Sequence, residues 1–500
     1  MSSTHHNIIA NYAGRVWGFL SAFIFVPFYL RFLGNESYGI VSFYAVVLGF
    51  LAFADAGLTA TLNREFARSD KTPSYKANLL ATVETIYICI CFIIITSIWF
   101  LAPLIASRWL KSGSIASHDI IFFVRLIGIG VAFQLIASLY QGGLMGLQKQ
   151  VLANSLLIGY GIMRSGIILI PLYFFPALPT YFSWQIGITI IYFIILRVIV
   201  KKEIQIDMKV KFSKIILADI WHFAAGMFAL SILSSILIQA DKLVVSNLFS
   251  LSEFGFYTLA STFSQVPLML VTPIGSAILP KFTQNISINN QANVILLFRK
   301  TTFIVVALAS FITFFLAAYA PDILLLWTHN IDLMNNVSQV ARILCVGTLF
   351  QATQLIVYYL AIANGYTKIN ILLGIFSVIF FVPTLFISIT YLGIVGTGIP
   401  WLIMSFITFL ILGYIVLKKF TNYTFKTWLL SDTLLPIFTA LLVIAFIYSV
   451  TFKMSKGWFI FGYGLISFII WMLISIWQFS KRFPDDQMLI KLKKIIIKNK

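Results

Sequence analysis

Arg125-Leu126-Ile127-Gly128-Ile129-Gly130-Val131-Ala132-Phe133-Gln134 and Arg342-Ile343-Leu344-Cys345-Val346-Gly347-Thr348-Leu349-Phe350-Gln351 agree at their Arg, Gly, Phe and Gln, and the shift is 217 residues at each. Both stretches sit inside long apolar runs. Landmarks further out keep nearly the same shift: Tyr38-Gly39 answers Phe254-Gly255, Ala102-Pro103 answers Ala320-Pro321, Trp184 answers Trp401, and Lys201-Lys202 answers Lys418-Lys419. Two near-gapless copies of about 200 residues in so apolar a chain predict a duplicated membrane transporter fold, in which two bundles rock around a site between them.

Sixty per cent of the residues are hydrophobic and 10% are charged, too little polar surface for a soluble chain of 500 residues. Apolar runs long enough to cross a bilayer recur throughout. The pattern predicts an all-α polytopic protein of about fourteen spans, near 8–30, 38–61, 78–106, 119–144, 151–174, 179–199, 217–246, 253–279, 300–327, 337–363, 368–392, 396–417, 433–452 and 457–479. The first span lacks a basic start and a small-residue cleavage site, so it is expected to be retained. Cys89, Cys91 and Cys345 have no metal-ligand spacing, and His5-His6 reads as incidental, so no metal site and no cofactor are expected.

The net charge of +19 could point to nucleic acid, but its distribution points to membrane topology. Alternating loops put 25 of the 35 Lys and Arg residues on one side and six on the other, and four lie inside spans. By the positive-inside rule both termini are cytoplasmic, and nucleic acid is not an expected partner. Six spans per copy is an even number, so the two lobes have parallel orientation and a pseudo-two-fold axis along the membrane normal. The expected divisions are a first six-helix lobe at 1–205, a cytoplasmic linker at 206–216, a second six-helix lobe at 217–420, two extra C-terminal helices at 421–480, and a basic cytoplasmic tail at 481–500 that lies on anionic headgroups.

Ionisable groups at bilayer depth cost several kcal/mol on roughly the insertion scale unless they face protein or water. Arg15, Asp55 and Glu84 fall at one depth, roughly 10 Å inside the cytoplasmic face. They are expected to form a network, either a structural ion pair or a gate and protonatable coupling site. Arg164 lies near the middle of its span, and either pairs with a carboxylate or faces an aqueous cavity. The duplicated Arg125 and Arg342 lie near the periplasmic ends. They either snorkel to headgroups or face each other across the interlobe cleft, where a planar guanidinium suits a diphosphate. Asp241 and Lys242 are adjacent, are not expected to share a helix face, and should have separate partners or line a cavity. Asn63, Arg64 and Glu65 close the second span at headgroup level. Pro27, Pro267 and Pro273 interrupt apolar spans and offer points of bending.

The stretches Asn11-Tyr12-Ala13-Gly14-Arg15-Val16-Trp17, Val26-Pro27-Phe28-Tyr29-Leu30-Arg31-Phe32-Leu33-Gly34, Tyr38-Gly39 and Asp55-Ala56-Gly57-Leu58-Thr59-Ala60-Thr61-Leu62-Asn63-Arg64-Glu65 resemble the polysaccharide-biosynthesis flippases. These are the Wzx-like branch, serving O-antigen and other lipid-linked oligosaccharides, of the multidrug/oligosaccharidyl-lipid/polysaccharide exporter superfamily. Gln239-Ala240-Asp241-Lys242-Leu243 with Leu251-Ser252, Phe254-Gly255 and Tyr257 is similar to the matching motif of the second lobe. The resemblance covers about residues 8–420. It implies two six-helix lobes around a cationic cavity, and movement of an undecaprenyl-diphosphate-linked oligosaccharide to the outer leaflet of a bacterial inner membrane by alternating access, in lipopolysaccharide or other surface-polysaccharide biosynthesis. It carries over to Arg15, Asp55, Asn63, Arg64, Asp241 and Lys242. Glu84, Arg125, Arg164 and Arg342 come from the charge reading alone. The lipid bilayer is the obligatory partner, and polysaccharide polymerase and chain-length proteins are implied ones.

No Walker motif occurs, so the expected energy source is a proton or sodium gradient acting through Asp55 or Glu84. An oligosaccharide polymerase or ligase needs a sizeable outer loop with an acid/base pair. The longest one here, 107–118, is about a dozen residues and has none, so no catalytic residue and no enzyme activity are expected. A cation-coupled drug exporter of the same superfamily would want an acidic or apolar cavity, against four embedded arginines. A cell-wall lipid-precursor flippase shares the diphosphate chemistry, and the two extra spans resemble that group.

Overall fold

The computed structural model describes residues 2–204, 212–454 and 457–484, apart from Ala56, Ser69, Lys71 and Lys453; for residues 2–13, Arg15 and a few other helical positions it describes the backbone alone. The described chain is helical, its one β feature an isolated bridge between Lys111 and Ser250. It divides into two compact units, Met1–Phe256 and Tyr257–Lys500.

The first unit opens with α1 (Ser2–Leu33), a continuous helix through Pro27. The second expected span is broken into α2 (Asn35–Gly49), α3 (Leu51–Ala54) and α4 (Leu58–Ala67). Gly57, at φ +71°, takes the left-handed conformation that lets α4 start afresh. Then follow α5 (Pro73–Leu104), α6 (Ser117–Gly146), α7 (Gln150–Gly161), α8 (Leu169–Phe174), α9 (Leu178–Glu203) and α10 (Lys214–Leu248). Thr72 caps α5 by accepting from the Tyr75 amide, with Pro73 in the first turn, where its missing N–H costs nothing. The core is built where α6 meets α4, α5 and α9, around Leu62, Leu80, Leu135, Leu139, Tyr140 and Leu196. Gly146 allows the α4–α6 crossing, because a Cβ there would stand 2.6 Å from the Asn63 carbonyl oxygen.

The helix α11 (Leu251–Ser264) spans the boundary between the units. The second unit continues with α12 (Val266–Ser287), α13 (Gln291–Ala318), α14 (Ala320–Thr328), α15 (Ile331–Ala363), α16 (Lys368–Leu392), α17 (Ile399–Phe420), α18 (Phe425–Thr427), α19 (Leu435–Thr451) and α20 (Phe459–Arg482). Pro267 begins α12 after the chain turns at Gln265, whereas Pro273 lies inside it. Asn290 and Asn330 cap α13 and α15. Here α15 is the central helix, packed by α12, α13 and α17. The sequence repeat therefore has a packing counterpart: α6 sits between α5 and α9 as α15 sits between α13 and α17. Past the repeat, α19 and α20 build a further cluster on α13 from Phe303, Phe311, Ala440, Ile444 and Trp471.

Eleven helices among the described residues are long and apolar enough to cross a membrane, and they fall on eleven of the fourteen expected spans. The count of fourteen is not confirmed. The expected spans at 8–30, 38–61 and 217–246 correspond to α1, whose apolar part is Leu20–Leu33, to the broken α2–α4, and to α10. Large apolar side chains such as Phe92, Val198, Leu442 and Leu465 point outward, as lipid-facing residues do. Exposed Tyr173, Tyr391 and Trp458 lie near helix ends, at the depth where amphipathic rings meet headgroups. The chain is a multi-pass membrane protein. Most of the expected linker at 206–216 and nearly all of the basic tail fall outside the described residues.

Candidate functional site

Arg164 lies inside the first unit, in a π-helical turn, Ile162–Ile167, between α7 and α8. The Tyr29 hydroxyl donates to the Ser165 carbonyl at 2.7 Å and pins that turn. Arg164 Nε donates to Gln185 Oε1 at 2.5 Å, and Gln185 Nε2 returns a bond to the Arg164 carbonyl at 3.2 Å. The guanidinium lies 5.7 Å from the ring centres of both Tyr44 and Tyr160. Tyr160 is fixed in turn: its hydroxyl donates to Gln134 at 2.6 Å, lies 2.9 Å from that of Thr189, and its ring stacks on Tyr192 at 4.2 Å. Gln134, one of the duplicated positions, thus orients a ring that faces Arg164. No carboxylate pairs with Arg164 among the described residues.

The duplicated arginines lean on equivalent places in their own units. The Arg125 guanidinium lies 4.4 Å over the Trp99 ring, near the end of α5. Arg342 Nε donates to the Ala317 carbonyl at 2.9 Å, at the end of α13, where terminal carbonyls and the helix dipole favour a cation. Both are held by neutral groups rather than snorkelling freely.

The expected network of Arg15, Asp55 and Glu84 falls partly outside the described residues. Glu84 and Asp55 have separate partners, and the Arg15 side chain is outside the described residues. Glu84 lies 2.7 Å from Arg197 Nη2 and 3.4 Å from Lys201 Nζ, and Arg197 Nε also reaches the Tyr140 hydroxyl. Read from sequence, Arg197 and Lys201 are loop charges. Instead α9 stays helical to Glu203, because long basic stems can lie along apolar surface while their charges reach a partner. Asp55, at the α3–α4 break, accepts from the Thr59 and Tyr87 hydroxyls and from the Thr59 amide at 3.3 Å. Those two hydroxyls are themselves 2.7 Å apart.

Asp241 and Lys242, expected to have separate partners or to line a cavity, also approach each other. Lys242 Nζ lies 3.7 Å from Asp241 Oδ1 and donates to the Ile238 carbonyl at 3.0 Å. The flexible four-carbon stem of lysine folds back past its own backbone. At the end of α4, the Arg64 side chain is 51% exposed beside buried Glu65, which Arg68 also approaches at 3.5 Å, while the Asn63 backbone packs on Gly146.

The partner groups were not singled out from sequence. Gln185, Tyr44 and Tyr160 come from three helices, and their only advance signal is that polar residues recur along α9 at Tyr181, Gln185, Thr189 and Tyr192. The charge balance is uneven. Glu84 and Asp241 each have a cation beside them, Asp55 is held by hydroxyls, and Arg125, Arg164 and Arg342 keep their charge without a carboxylate among the described residues. Such groups attract a multivalent anion and disfavour a cationic cargo.

Residues 5–286 match the family described as polysaccharide biosynthesis protein, and residues 227–387 match the MatE family. A curated relative, "Putative O-antigen transporter" from Shigella flexneri, is 22% identical over 435 residues, covering 83% of this chain and 99% of that protein. The lipid II flippase MurJ, in an inward closed conformation, superposes with a TM-score of 0.74 at 16% identity, covering 96% of this chain and 99% of that one. An inward-facing multidrug resistance MATE family transporter of the MOP superfamily superposes at 0.63 and 14% identity, covering 88% and 96%. These two likenesses establish the shared fold.

Proposed function

We propose that this chain, which belongs to the polysaccharide biosynthesis protein family, is a Wzx-like flippase of the multidrug/oligosaccharidyl-lipid/polysaccharide superfamily whose cargo is an undecaprenyl-diphosphate-linked oligosaccharide, an O-antigen or other surface-polysaccharide repeat unit. The observation that carries this reading is the set of three membrane-embedded guanidiniums, Arg125, Arg164 and Arg342, held by neutral groups. A glycan and its diphosphate cannot cross hydrocarbon, but the polyprenyl tail need not leave it. A cationic path open sideways to lipid meets both demands. Arg125 and Arg164 in the first unit, and separately Arg342 in the second, would receive the diphosphate, and Arg15, Asn63, Arg64, Asp241 and Lys242 would contact the cargo along its way.

Both termini are then cytoplasmic, which fits the distribution of basic residues, and transport would run from the inner to the outer leaflet of a bacterial inner membrane. Coupling to a proton or sodium gradient runs through Asp55 rather than Glu84. Glu84 is already clasped by Arg197 and Lys201, whereas Asp55 sits on hydroxyls at a helix break, the kind of irregular backbone that serves ions in transporters. Polymerase and chain-length proteins would receive the product.

The test is flipping of a fluorescent undecaprenyl-diphosphate oligosaccharide in proteoliposomes, with and without an imposed pH or sodium gradient. Gradient-stimulated flipping that Arg164→Gln reduces at least tenfold is expected. Equal rates for wild type and the variant would remove the diphosphate role, and the same rate with and without each gradient would remove the coupling.

A further inference from the structure

The helices α19 and α20 have no counterpart in the first repeat, and they meet α13 through a charged corner that the transport path does not use. Asp432 is fully buried in the π-helical turn Trp428–Leu434 that begins the α19 rod. Its Oδ2 accepts from the Tyr423 hydroxyl at 2.6 Å and from Arg299 Nε at 3.3 Å, and its Oδ1 accepts from Arg482 Nη1 at 3.1 Å. Arg482 also donates to the Ser431 carbonyl. Among the described residues two guanidiniums thus share one carboxylate, leaving a positive charge in excess. Their side chains remain 30% and 20% exposed.

Rings frame the corner. Arg299 lies 5.0 Å from the Tyr423 ring and 5.5 Å from that of Phe483, and Arg482 lies 5.6 Å from that of Phe303. Lys300 Nζ is 5.7 Å from the Phe483 ring. Arg299 is near the start of α13 and Arg482 is at the end of α20, so the corner sits at one end of the helices, at headgroup depth. Beyond it α19 and α20 expose Leu435, Phe438, Leu442, Leu473 and Trp477. Excess guanidinium charge at headgroup depth, continuous with an apolar flank along the same helices, fits an amphiphile with an anionic head and acyl chains.

We propose that this corner is a binding site for one anionic glycerophospholipid, its phosphodiester on Arg299 and Arg482 and its acyl chains along α19 and α20. The extra helices then complete a lipid site on α13. Asp432 offsets one of the two guanidinium charges and is not itself a ligand.

The full chain, purified in a neutral detergent, is heated in the presence of phosphatidylglycerol, phosphatidylcholine or inorganic phosphate. Phosphatidylglycerol should raise Tm by about 3 °C or more over phosphatidylcholine, and inorganic phosphate should not. Arg299→Gln with Arg482→Gln should erase that difference. Asp432→Asn removes the competing carboxylate, so it should lower the baseline Tm yet keep the phosphatidylglycerol response. It also serves as the readout if the double variant does not fold. Equal shifts with both lipids, an equal shift with inorganic phosphate, a response that survives loss of both arginines, or a response lost in Asp432→Asn would each overturn the proposal.

Discussion

Arg164 and Gln185 hold each other in both directions: the guanidinium Nε donates to the amide oxygen at 2.5 Å, and the amide nitrogen donates to the Arg164 carbonyl at 3.2 Å. A neutral amide fixes the cation without cancelling it. That distinction yields the sharpest substitution. Gln185→Glu is nearly isosteric but supplies a carboxylate; it gains an ion pair with Arg164 at the cost of the donor to the Arg164 carbonyl, and the folded protein should lose transport about tenfold or more. Transport at the wild-type rate in Gln185→Glu would show that the Arg164 charge is not needed.

Asp55 and Glu84 should separate under substitution. Asp55→Asn should remove gradient dependence from flipping while leaving a slow equilibrating rate, because its partners are the hydroxyls of Thr59 and Tyr87. Glu84→Gln should leave the gradient dependence intact and destabilise the protein instead. The cost is about 1–2 kcal/mol, small for an ion pair since Arg197 and Lys201 are 45% and 36% exposed. Flipping with and without a pH gradient, alongside thermal unfolding, checks both. Gradient dependence lost in Glu84→Gln and kept in Asp55→Asn would reverse the assignment.

Glu36 straps the loop between α5 and α6. Its carboxylate accepts from Ser112 Oγ at 2.6 Å, from the Ser114 amide at 3.0 Å and from the Gly113 amide, while Lys111 of the same loop donates to the Leu248 carbonyl at 3.0 Å. Burial opposes its ionisation, but the hydrogen bonds from Ser112, Ser114 and Gly113 outweigh burial and hold the carboxyl below the ordinary glutamate value of 4.5. A lowered pKa means the strap is at full strength above that value and weakens as pH falls through the folded-state pKa. Amide-exchange protection at Gly113 and Ser114 should fall on acidification below about pH 4.5 in the wild type, and Glu36→Gln should make it low and pH-independent. Protection unchanged by acid would contradict the strap.

Tyr38-Gly39 and Phe254-Gly255, paired in sequence by the repeat, also meet in space. A Cβ on Gly39 would stand 2.1 Å from the Leu251 carbonyl oxygen, and one on Gly255 would stand 3.3 Å from the Gly39 nitrogen. Gly39→Val should therefore overpack this crossing and destabilise the protein by about 1–3 kcal/mol. Thermal unfolding in detergent reads it, with exposed Gly18→Val, which has open space around it, as the control. Equal Tm for both variants would mean that the close approach does not exist.

The 217-residue shift made the repeat legible, because helix–helix packing reuses the same local apolar faces: α6 and α15 are central in their own units. The eleven apolar helices were legible for the same reason. What sequence alone did not supply was pairing across distance. Glu84 finds Arg197 113 residues on, and Asp432 finds Arg299 133 residues back. Neither separation has a local signature. The break at Asp55–Gly57 was hidden in an apolar run, since hydropathy does not register a left-handed glycine. Asp241 and Lys242 fall on different helix faces by spacing, which does not register that the long lysine stem brings its ammonium 3.7 Å from Asp241 Oδ1.

The claim underlying the cargo assignment is that the embedded guanidiniums engage a diphosphate. Binding of undecaprenyl diphosphate, undecaprenyl monophosphate and undecaprenol to the purified full chain measures this most directly, in wild type and Arg164→Gln. The wild type should prefer the diphosphate over the monophosphate by about tenfold, the scale of one charge-assisted contact, and Arg164→Gln should lose most of that preference. Equal affinity for the three lipids in the wild type, or an unaltered preference in Arg164→Gln, would contradict it.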